Sequence, residues 1–156
     1  MIIDTHLHLI YRDQLSYPWL ASVPTLDADF TQELYAREAR RVGIVAALHM
    51  EVDVAESDIP RETEVVEALA REEGSLLAGA IAACRPEAPD FSAYLETVLA
   101  NPFVRGFRRV LHVVPDDVSE GVLFRANIKR LAGTGLNFDL CVLPHQIEKA
   151  IALADL

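Results

Sequence analysis

His6 and His8 stand one residue apart at the end of an apolar run that begins at Met1 and reaches Thr5. In a strand, residues two apart project to the same face, so this spacing puts two imidazoles side by side at the strand's exit. Neutral imidazole ligates zinc, iron, manganese or nickel, and a metal held there lowers the pKa of bound water from about 15.7 to about 7. An isolated His-x-His is more often a surface or half-buried pair than a ligand set. Position shifts the balance here, because in parallel β/α folds the C-terminal rim of the strands is where ligands and catalytic groups gather.

The other three histidines fall at comparable places: His49 at the end of a second apolar run, His112 at the end of a fourth, and His145 just past a fifth. Arg105, Arg108 and Arg109 form the densest cationic cluster in an acidic chain. Alternation aims Arg108 and Arg109 in opposite directions, and a rim-facing guanidinium suits a substrate carboxylate through paired hydrogen bonds. Pairing with one of the many acidic side chains is an equal expectation. Tyr17 and Trp19 follow the first strand in a loop long enough to wall a pocket, or to pack on the outer layer. Glu51, Asp53, Glu56 and Asp58 read as a solvated acidic loop.

The elements that must position these groups alternate strand-length apolar runs with stretches of helical period. Strands are expected at Met1 to Thr5, Ile44 to Met50, Leu76 to Ala83, Val104 to His112 and Asn137 to Leu143. Helices are expected between them, with faces marked by Phe30, Leu34, Tyr35, Ala39 and Val42, then over Pro60 to Glu73, Phe91 to Ala100, around Leu123 to Ala132, and from Gln146 onward. Gly43, Gly74 and Gly133 or Gly135 sit at helix-stop positions. This order predicts a parallel sheet of five βα units in a single domain over residues 1–156.

Composition narrows the class. With 14 basic and 24 acidic side chains the net charge is −10, which repels phosphate backbones and anionic membranes and leaves a small-molecule partner. The start lacks a cationic leader region and no apolar stretch approaches membrane-spanning length, which predicts a cytoplasmic protein. Cys84 and Cys141 sit in apolar strand contexts and read as small buried hydrophobes rather than a disulfide.

The sequence resembles the amidohydrolase superfamily, and within it the amidohydrolase-2 group of sugar-acid and pyrone-dicarboxylate lactonases. The resemblance rests on Ile3-Asp4-Thr5-His6-Leu7-His8-Leu9, Tyr17-Pro18-Trp19-Leu20, Glu62-Thr63, Val104 to Leu111 and Phe138 to Pro144, in that order along the chain. It implies an α/β fold of the (β/α)8 TIM-barrel type, of which about the first five units are present, incomplete at the C-terminus. It also implies a hydrolase in which activated water attacks the carbonyl of a small carboxylated or sugar-acid lactone. His6, His8 and His145 are then catalytic candidates, with His6 and His8 as the metal ligands. Trp19, His49, Arg108, Arg109 and His112 are the substrate-binding candidates. The cofactor is one divalent ion, zinc or manganese, or none, since Arg108, Arg109 and His112 stand where relatives with two metals carry Lys or Glu after strand four.

Two other readings stay open: a decarboxylase built on the same site, and a non-catalytic truncated barrel. The resemblance places a further His and an Asp on strands beyond the fifth. Parallel strands need neighbours on both edges, so the stable species is expected to include three further βα units or an oligomeric partner, together with an anionic small-molecule substrate.

Overall fold

In the computed structural model, which describes residues 1–156, the apolar runs form strands β1 (Ile2–Leu7), β2 (Ile44–Met50), β3 (Leu77–Ala83), β4 (Val104–Val110) and β5 (Asn137–Cys141). Between and after them lie helices α1 (Gln32–Arg41), α2 (Ile59–Ala70), α3 (Phe91–Leu99), α4 (Val122–Lys129) and α5 (Ile147–Ala154). The five βα units expected from periodicity are all present. The element ends differ by one to a few residues. The fourth strand stops at Val110 rather than His112, and the fifth at Cys141 rather than Leu143, because the chain turns away from the ladder before each of those residues. No helix is long and apolar enough to cross a membrane.

The chain divides into two compact units, Met1–Ala82 and Ala83–Leu156. In the first, β1 pairs with β2 and β2 with β3, all parallel. Leu9, Met50 and Val66 are among its fully buried side chains. Thr31 caps α1, its side-chain oxygen accepting from the Leu34 N–H. Gly43, at φ +83°, then ends the helix in the left-handed region that side chains avoid. Pro60 occupies the first turn of α2, where a missing N–H costs nothing.

In the second unit β4 and β5 pair in unbroken parallel register from Gly106 and Asn137 to Val110 and Cys141. Gly106 is required there, since a Cβ at that position would stand 2.6 Å from the Asn137 carbonyl oxygen. Phe91 and Phe107 pack with ring centroids 5.9 Å apart, and Leu111, Phe124 and Leu153 form a second buried cluster. Cys84 is buried and Cys141 half-buried, and the two do not form a disulfide.

Candidate active site at the exit of the first two strands

His6 is the next-to-last residue of β1 and His8 lies just beyond its end. Their Nε2 atoms are 3.1 Å apart and their rings meet edge to face at 84°. Strand alternation alone does not produce this geometry. The β1–β2 register slips by one residue between Asp4, opposite Ala47, and Leu7, opposite His49, so the strand bulges at Thr5 and His6. Asp4 replaces the lost ladder bond, its Oδ1 accepting from the His6 N–H at 3.0 Å, while its Oδ2 accepts from the Tyr35 hydroxyl on α1 at 2.8 Å. Neither spacing nor charge pattern marks Asp4 for this place.

His8 is fixed from behind. Its Nδ1 stands 2.9 Å from the Met50 carbonyl oxygen at the end of β2. A carbonyl only accepts, so Nδ1 carries the proton and Nε2 presents its lone pair toward His6. Two nitrogens bound to one zinc at about 2.0–2.1 Å and a tetrahedral angle stand about 3.3 Å apart. The observed 3.1 Å is close to that edge length. The donor chemistry therefore fits two ligands of one divalent cation. No group of three or more His, Cys, Asp or Glu side chains is placed to hold a metal ion.

Directly behind lies a buried layer. His49 is only 2% exposed, with Nε2 3.3 Å from Glu62 Oε1, and its Nδ1 is buried without a hydrogen-bond partner. Glu62 Oε1 also accepts from the Val52 N–H at 2.9 Å. Glu51, expected in a solvated acidic loop, is instead 1% exposed, and its Oε2 accepts from the Asp53 N–H at 2.8 Å. Asp53 adopts φ +47°, and this turn folds the Glu51 side chain back over its own backbone. Charge clustering gave no sign of that, because burial is decided by the turn.

Trp19 is half-buried, and its indole N–H donates to the Val52 carbonyl at 2.8 Å. Neighbouring Tyr17 is buried, its hydroxyl accepting from the Tyr11 N–H at 3.1 Å, and burial pushes its phenol up to about 12.

The remaining candidates belong to the second unit. Arg109 is buried and donates from Nε and Nη2 to Glu87 Oε1 at 2.9 and 2.7 Å. It is thus paired with a carboxylate of this chain. Arg108 is also buried, with its carbonyl oxygen accepting from the Cys84 N–H at 3.2 Å. Arg105 is exposed. His112 follows β4, exposed, with Nδ1 3.4 Å from the Cys141 sulfur. His145 is exposed in a single 3-10 turn, Pro144–Gln146, after β5.

The sequence model of a family described as Amidohydrolase matches residues 3–156. Among solved structures, an amidohydrolase 2 from Bifidobacterium longum subsp. infantis is 25% identical with a TM-score of 0.75, the match covering 99% of this chain and 57% of that one. An amidohydrolase from Burkholderia multivorans with bound zinc is 22% identical with a TM-score of 0.78, covering 98% and 53%. A probable 2-pyrone-4,6-dicarboxylic acid hydrolase from Acinetobacter baumannii with citric acid bound is 11% identical with a TM-score of 0.71, covering 98% and 54%. The chain thus spans about half the length of the relatives it matches. The shared architecture is that of the (β/α)8 barrel, with five of its βα units described here.

Proposed function

Because this chain belongs to the amidohydrolase family, we propose that it supplies the metal-binding histidines of a hydrolase acting on small carboxylated lactones. The observation that carries this reading is the convergence of His6 and His8 Nε2 at 3.1 Å, with the His8 Nδ1 proton held by the Met50 carbonyl. Zinc in the Burkholderia relative supports a divalent ion. The name of the Acinetobacter relative supports a lactone as substrate class.

A divalent ion bound by these nitrogens supplies a Lewis acid and a hydroxide at neutral pH. The chain's own contribution is orientation. The Met50 carbonyl keeps the His8 lone pair on Nε2, and the Asp4 bond to the His6 backbone fixes the bulge that turns the two rings toward each other. Trp19, tied to Val52 by its indole N–H, is the side chain we assign to the wall of the site beside the strand exits. We assign His49 a supporting place behind that wall, since its ring is closed off from solvent. In residues 83–156, the guanidinium group of Arg108 is the candidate for a substrate carboxylate, Arg109 being engaged by Glu87, and His112 and His145 are the candidates for substrate contact and proton transfer.

Zinc titration followed by calorimetry, with lactone hydrolysis read in parallel on a panel that includes pyrone dicarboxylates, tests the proposal. Binding of about one zinc, lost in His6→Ala and in His8→Ala by more than the ~10–100-fold that an outer hydrogen-bond partner is worth, is the expected result. Unchanged zinc uptake in both variants overturns the ligand assignment. Zinc uptake with hydrolysis of open-chain esters or amides but of no lactone overturns the substrate class.

A further inference from the structure

The peptide unit of Val52 is gripped from both sides. Its N–H donates to the buried Glu62 on α2 and its carbonyl accepts from the Trp19 indole in the loop after β1. Upstream, the Glu51 N–H donates to the Ile81 carbonyl of β3 at 2.9 Å. These bonds fix the two peptide units that directly follow Met50, whose carbonyl oxygen accepts from the His8 Nδ1–H. A carboxylate at 2% exposure is costly unless its acceptors are used, and Glu62 Oε1 meets two donors, the Val52 N–H and His49 Nε2. The exit of β2 is therefore held twice: by the last ladder bond, from the Glu51 N–H to Ile81, and one peptide further on by side chains from two other elements.

We propose that Glu62 and Trp19 are positioning residues that clamp the Val52 peptide, and through it hold the Met50 carbonyl where it keeps His8 as the Nδ1–H tautomer with Nε2 available to a metal. The clamp rests on the reading of His8 as a ligand only for its purpose; the tautomer itself is read without any metal. Outer-layer partners of this kind orient a ligating imidazole and set which nitrogen is basic.

The test uses the full chain, metal-free, with isotope-labelled histidine, and reads the His8 ring nitrogens by long-range NMR correlation, His8→Ala identifying the signals. The wild type is expected to show a protonated Nδ1 and an unprotonated Nε2. In Glu62→Ala the signals move toward the Nε2-protonated form, and zinc affinity falls about 10–100-fold. Glu62→Gln keeps an oxygen that accepts from the Val52 N–H and is expected to restore both readouts. Trp19→Phe keeps the aromatic bulk but loses the donor. It shifts His8 in the same direction by less, and it carries the test if Glu62→Ala fails to fold. A wild-type tautomer at His8 in folded Glu62→Ala or Trp19→Phe overturns the clamp. A Glu62-dependent tautomer in a protein that takes up no zinc upholds the clamp and overturns the ligand reading instead.

Discussion

Arg109 donates through Nε and Nη2 to a single oxygen of Glu87, whose other oxygen is buried without a partner. Removing the guanidinium takes a charged neighbour from that carboxylate, and a charge left unpaired out of water costs more than the pair contributed. Arg109→Met, which keeps the apolar stem, is expected to lower stability by about 2 kcal/mol in chemical denaturation, a charge-assisted bond at a partly exposed site being worth less than a fully buried one. Stability within a few tenths of the wild type would show that Glu87 finds water or another donor. At the same scale, the acidic loop after β2 separates by burial: Glu51 turns inward to the Asp53 N–H, while Glu56 is exposed.

Tyrosine hydroxyls join the elements of the first unit. Tyr35 on α1 donates to Asp4 on β1, Tyr11 accepts from the Gln32 N–H at the start of α1, and Tyr17 accepts from the Tyr11 N–H. Burial is the main cause that raises all three phenols, Tyr17 to about 12. A raised value means the folded chain holds the proton more tightly than the unfolded one. The stability tied to Tyr17 is therefore fully present below its ordinary value of 10.0 and is lost as pH climbs from there through about 12. Thermal melts across that window are expected to fall steeply for the wild type. They should fall less steeply for Tyr17→Phe, which cannot ionise, although that variant starts lower because the Tyr11 N–H loses its acceptor. Equal slopes would remove Tyr17 from the alkaline transition.

For the whole molecule, a net charge of −10 favours solubility, and the apolar rim of β1 opposes it. Ile2 and Ile3 are about half exposed, at 51% and 50%, on a strand that pairs with β2 on one side. An apolar strand with unpaired backbone groups is a template for another chain, and a lysine there discourages pairing. Ile3→Lys is expected to reduce concentration-dependent association in light scattering. Association equal to the wild type would place the contact elsewhere. In a barrel, further βα units cover such an edge, and we propose that the complete active site draws on them, as the relatives of about twice this length suggest.

Periodicity and punctuation by themselves determined the five βα units and put His6 and His8 at the exit of the first strand, because alternation, helical period and glycine stops are local properties. The family was legible in the same way, from ordered short motifs. Tertiary structure alone decided how the two rings meet. The bulge at Thr5 and His6, the Met50 carbonyl behind His8, and the buried Glu62 that holds Val52 join residues from 2 to 42 positions apart. It also decided that Arg109 faces Glu87 and that Glu51 lies inside. No local pattern encodes a register slip or the partner of a buried charge, since both depend on which distant backbone groups are left unsatisfied once the sheet has formed.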